Sequence, residues 1–188
     1  MSNLFFTPWV GKNYLNSKEK ILLIGESHYH GFEYTETFTN EIVEEFIEGS
    51  PYKFYVNAGS LFYDDARKIW NNIAFSNLIQ KCFGNALEQP TTADKKNAGL
   101  AFSELLRTLQ PDKVVVLSKR MWASWLPDNE GKKLSELKEG NRFSTVWEFP
   151  TGAGTCKCIG VCHPSRMFGR NGTPKEWSGL VKKFIEQN

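Results

Sequence analysis

Apolar residues in this chain cluster in short bursts that end abruptly in polar ones. Ile21-Leu22-Leu23-Ile24 empties into Gly25-Glu26-Ser27-His28, and Ile159-Gly160-Val161-Cys162 empties into His163-Pro164-Ser165-Arg166. Runs this short, apolar on consecutive positions, predict strands buried on both faces, as in parallel sheets. The same pattern predicts strands over 21–24, 73–78, 113–118, 145–149 and 157–162. Between them, apolar residues recur at helical spacing. Ile42, Val43, Phe46 and Ile47 predict a helix over 39–49, and Leu100, Phe102, Leu105, Leu106 and Leu109 one over 93–109. Further helices are expected over 61–70, from 119 to 125 and over 177–187, with 52–59 an aromatic connection. The turn-rich Pro150-Thr151-Gly152-Ala153-Gly154-Thr155 joins two strands as a hairpin.

Strands alternating with helices in this order predict one α/β domain over 1–188: a three-layer α/β/α sandwich around a central, mainly parallel four-stranded sheet. In open sheets of this kind ligands sit beyond the carboxyl ends of the strands. Gly25, Asn77, Ser118 and His163 stand at those ends and are expected to face one crevice. All three histidines, His28, His30 and His163, fall in the first and last of these loops.

A length of 188 residues suffices for a full core. The formal net charge of +2 is too mild to announce a nucleic-acid partner by itself. Its distribution says more. The stretch after His163 is basic, through Arg166, Arg170, Lys175, Lys182 and Lys183, whereas the stretch from Glu33 to Glu48 is acidic. The opening residues lack a basic, then apolar leader, and no apolar run reaches the length of a membrane span. Four cysteines in such a chain predict reduced thiols in a cytoplasmic protein. Cys156, Cys158, Cys162 and His163 fit the spacing of zinc sites poorly, so structural cysteines and no metal are expected; His28 and His30 form only a bare H-x-H pair.

Taken together, these strand ends resemble the uracil-DNA glycosylase superfamily. Gly25-Glu26-Ser27-His28-Tyr29-His30 stands where that family has Gly-Gln-Asp-Pro-Tyr-His or Gly-Glu-Ala-Pro-Gly. His163-Pro164-Ser165 matches its last motif, Asn77 in Ala74-Phe75-Ser76-Asn77 its base-reading strand end, and Pro111-Asp112-Lys113-Val114-Val115-Val116-Leu117 its penultimate strand. Ser27 replaces the water-activating Asp of the best-known members, and His28 the loop Pro.

The resemblance implies a DNA glycosylase that binds a flipped or single-stranded nucleobase, uracil or another deaminated base, and hydrolyses its N-glycosidic bond. His163 would donate to the base oxyanion, with Glu26 or His28 left to activate water. Gly25, Ser27, Tyr29 and Asn77 would surround the base, and Phe38 or Phe32 would stack on it. Ser165, Arg166, Met167, Phe168 and Arg170 would contact DNA, Met167 and Phe168 filling the vacated stack. No cofactor is implied, because the cysteines that hold an iron–sulfur cluster in some members have no counterpart. The partner is DNA, single-stranded or duplex, bound by a monomer away from membranes. A second reading, favoured by Ser27, is a catalytically silent relative that binds nucleic acid or a nucleotide. A third starts from Gly25-Glu26-Ser27-His28, which also resembles the opening of erythromycin esterase-like proteins but leaves His163-Pro164-Ser165 without a role.

Overall fold

The computed structural model describes residues 2–29, 31, 33–85, 87–126 and 130–187. In chain order the elements are β1 (Trp9–Val10), β2 (Ile21–Gly25), β3 (His28–Tyr29), α1 (Phe38–Glu48), α2 (Lys53–Gly59), β4 (Ile73–Asn77), β5 (Cys82–Phe83), α3 (Thr92–Leu109), β6 (Lys113–Val116), α4 (Lys119–Ser124), β7 (Lys132–Glu139), β8 (Arg142–Pro150), β9 (Thr155–Gly160) and α5 (Pro174–Ile185). The main sheet has seven strands in the order β1-β4-β2-β6-β9-β8-β7, and β3 and β5 form a separate parallel pair.

The expected four-stranded sheet is therefore corrected to a mixed one of seven. Its centre, β4-β2-β6-β9, is parallel throughout, while β1 on one edge and β8 and β7 on the other run antiparallel to their neighbours. Strand β7 was not predicted because, of its eight residues, only Leu137 is buried; charged residues dominate the rest.

The apolar runs of the central strands split their side chains between two faces, as period two requires. Leu23, Phe75, Val115 and Ile159 pack with Val43 and Phe46 of α1, Tyr55 of α2 and Leu180 and Phe184 of α5. Leu22, Ile24, Val114, Val116 and Cys158 pack on the opposite side with Phe102 and Leu105 of α3 and Met121 of α4. Helices thus cover both faces.

Capping sets where the long helices begin. Thr91 with Asp94 starts α3, and Thr173 with Glu176 starts α5, each pair exchanging side-chain and backbone hydrogen bonds. Two predicted boundaries move. The helix expected over 61–70 reduces to a 3-10 turn at Lys68–Asn71, and the supposed connection over 52–59 carries α2. The strands expected to reach 118 and 162 stop at Val116 and Gly160.

Candidate binding cavity at the strand ends

Three of the four parallel strands, β4, β2 and, across β6, β9, bring residues at or just past their carboxyl ends to a single cavity. In β2 and β4, Gly25 pairs with Asn77, and in β6 and β9, Val116 pairs with Gly160. Beyond those ends lies a cavity of about 310 Å³ walled by Ser27, His28, Tyr29, Asn77, His163 and Ser165, together with Phe38, Phe54, Phe75, Tyr52, Tyr55, Ile42 and Lys53. The first and last loops of the chain therefore share a wall, but of the four strand ends expected to face one crevice only Asn77 and His163 line it; Gly25 does not, and Ser118 is turned to Glu26.

Asn77 sits at the end of β4 with 3% of its surface exposed. Its carboxamide has no hydrogen-bond partner among the described residues, although it lines the cavity. A buried amide in that position offers one donor pair and one acceptor to an incoming group. The absence of a side chain at Gly25 makes room for it: a Cβ there would lie 2.2 Å from Asn77 Oδ1.

His163 opens a 3-10 turn at Pro164–Arg166. The Ser165 backbone N–H donates to His163 Nδ1 at 3.3 Å, which assigns the ring's proton to Nε2. Burial holds the imidazole below its ordinary pKa, and the positive charges of Arg166 and Arg120 add to that, outweighing the upward pull of Glu26. His163 is thus a neutral ring that donates from Nε2. Phe54 packs against it at 5.3 Å between ring centroids, and Asn57 Nδ2 donates to Pro164 O at 2.8 Å, so α2 braces the whole turn.

Glu26 is placed differently. It is buried but does not line the cavity. Arg120 Nε donates to Glu26 Oε1 at 2.8 Å and Nη2 to Oε2 at 2.5 Å, while the Ser118 hydroxyl donates to Oε1. Burial alone would raise this carboxyl, yet the hydrogen bonds from Arg120 and Ser118 and the guanidinium charge hold it below the ordinary carboxylate value. A carboxylate so engaged is ionised and a poor base.

His28 lines the cavity with its Nε2 2.8 Å from Thr39 Oγ1, and its ring meets Phe6 and Phe38 edge-on at 5.0 Å each. Tyr29 is 43% exposed at the mouth. His30 and Phe32 lie outside the described residues.

The loop after His163 splits its expected roles. Arg166, Phe168 and Arg170 are exposed, whereas Met167 is buried in the core and has no face to offer a nucleic acid. Among the described residues no cluster of three or more His, Cys, Asp or Glu could hold a metal ion, and no helix is long and apolar enough to cross a membrane. Cys156 and Cys158 are buried, their sulfurs 3.7 Å apart.

Sequence reasoning missed Phe54, Lys53 and Arg120. The first two sit in a stretch read as a connection. Arg120 carries no local signal, since its partner is 94 residues away. No protein-family model and no curated protein matches the chain.

Proposed function

We propose that this protein is a uracil-DNA glycosylase-like enzyme that binds a nucleobase in the cavity and hydrolyses its N-glycosidic bond. The observation that carries the reading is the shared wall: Ser27–Tyr29, Asn77 and His163–Ser165 line one cavity of about 310 Å³. The parallel strands β4-β2-β6-β9 with helices on both faces support a fold of that family.

The chemistry follows from the groups present. Breaking the bond leaves an anionic base and an oxocarbenium-like sugar. Neutral His163 donates from Nε2 to the base oxygen on which charge collects, a contribution on the order of 10²–10³ in rate. The Asn77 carboxamide matches the donor–acceptor edge of a lactam base. A base lacking that edge leaves the buried amide unpaired and is rejected. Phe38, Phe54 and Phe75 supply aromatic walls for the planar ring. Glu26 lies outside the cavity with its charge offset by Arg120 and takes no proton; water adds to the sugar cation and its proton passes to the departing base anion.

A second reading, a silent relative that binds without excision, draws on one observation. No carboxylate lines the cavity among the described residues, and that of Glu26 is occupied by Arg120. Oligonucleotides carrying uracil, hypoxanthine or xanthine, single-stranded and duplex, followed by alkaline scission of abasic sites, decide between the two. Scission that disappears in His163→Ala supports the enzyme. Binding without scission supports the silent relative, and neither outcome removes both.

A further inference from the structure

Lys53 and Phe168 stand together at the rim of the cavity, and neither has a role inside it. Lys53 lines the cavity from the first turn of α2, and its Nζ lies 5.8 Å from the centroid of the Phe168 ring. Phe168 is 60% exposed. Neither Lys53 nor Arg166 has an ion-pair partner among the described residues.

We propose that Lys53 and Phe168 form an outer subsite for single-stranded nucleic acid, Lys53 taking the phosphate and Phe168 the base next to the one in the cavity. The inference rests on the nucleobase reading of that cavity. Its support is the order of the groups. Moving outward, an apolar cavity is followed by an ammonium and then by a bare aromatic ring, the sequence base, phosphate, base along a strand. A cation beside an exposed ring is the combination that single-stranded nucleic acid uses, because every base has a face that stacks.

The ring is held out, not left loose. Met167 is buried next to it, so the following residue is turned to solvent, and Gly169 and Gly172, at φ 55° and 82°, bend the chain away on the other side. The hydrogen bond from Asn57 to Pro164 O ties this loop to the helix that carries Lys53, keeping cation and ring on one frame. With Met167 withdrawn, the loop presents one apolar projection, which suits a ring platform for an unpaired base better than a wedge into a duplex.

The test is fluorescence anisotropy with a labelled short oligothymidylate containing one uracil, its duplex, and 2′-deoxyuridine monophosphate as competitor. Lys53→Ala and Phe168→Ala, both at exposed positions, are checked for fold by thermal melting. Each variant is expected to weaken single-strand binding about tenfold. Lys53→Ala should also lower the slope of log affinity against log salt by about one. Competition by the mononucleotide should be unchanged in Phe168→Ala.

Single-strand affinity unchanged in both variants overturns the subsite, as does an oligonucleotide bound no tighter than the mononucleotide. A duplex bound more tightly than the single strand, with the same dependence on Phe168, makes the ring a wedge and overturns it too. The outcome separates from that of the proposed function. Variant-sensitive binding with no uracil excision removes the hydrolase and keeps the subsite, whereas excision that ignores both substitutions does the reverse.

Discussion

Arg120 and Glu26, 94 positions apart in the chain, are joined by a two-pronged ion pair immediately behind the cavity wall. The pair ties the turn after β2 to the start of α4. It takes the carboxylate of Glu26 out of acid–base work, and His163 faces the cavity as a neutral group.

Removing one partner should therefore cost stability. Arg120→Met leaves a buried carboxylate with Ser118 alone, and because the guanidinium is itself 41% exposed the loss should be roughly 2 kcal/mol, below that of a fully buried pair. Urea denaturation measures it. The folded carboxyl titrates below its unfolded value of 4.5, so the pair stabilises fully above that pH and the contribution fades as pH drops through the lower, folded value. The gap between wild type and Glu26→Gln should thus narrow in acid. A gap independent of pH would contradict the assignment.

His163 should be neutral and protonated on Nε2 at pH 7, which long-range nitrogen–proton spectra of the three histidines can establish. Its folded pKa lies below 6.5, so the unfolded chain binds the proton first as pH falls. Stability from this residue is present above 6.5 and lost beneath it. Protonating Nδ1 would set two donors against each other at Ser165, so base binding should hold level from pH 8 to 6.5 and decline on further acidification. A midpoint above 6.5 would refute the environment described.

Gly25→Ala should displace the Asn77 carboxamide from the cavity wall without unfolding the protein. The new methyl would press on Asn77 Oδ1, the movable end of a side chain, and turn the carboxamide away. Affinity for a uracil-containing strand should fall about as far as in Asn77→Ala, on the order of tenfold, the usual consequence of a lost buried hydrogen bond. The double variant should be no worse than either single one. Additive losses would mean that the two positions act separately.

Lys113→Met should loosen the end of α5. The Lys113 ammonium, 4% exposed, donates to the carbonyls of Phe184 at 3.0 Å, Ile185 at 3.3 Å and Gln187 at 2.5 Å, and pairs with Glu19 at 3.4 Å. Those carbonyls would lose their partner, at a cost of roughly 2 kcal/mol. Hydrogen exchange should speed up in the last turn of α5 and leave α3 unchanged.

The parallel centre was legible in the chain because buried strands announce themselves as unbroken apolar runs, and the shared cavity followed from where those runs stop. The flanks were not. The exposed strand β7 reads Lys-Lys-Leu-Ser-Glu-Leu-Lys-Glu and gains its order from pairing with β8, a partner that local pattern does not reveal. Helix α2 carries Phe54 and Tyr55 in a row too short to show helical periodicity, so it passed for a connection. Long-range pairing also hid the fate of Glu26: carboxylates in loops look alike until the guanidinium that claims them is found.

Strand β2 lies inside the sheet, hydrogen-bonded along its length to β4 and to β6. The floor under the first loop is consequently among the least deformable parts of the molecule. Whatever enters the cavity meets there a footing already fixed by the sheet on both sides.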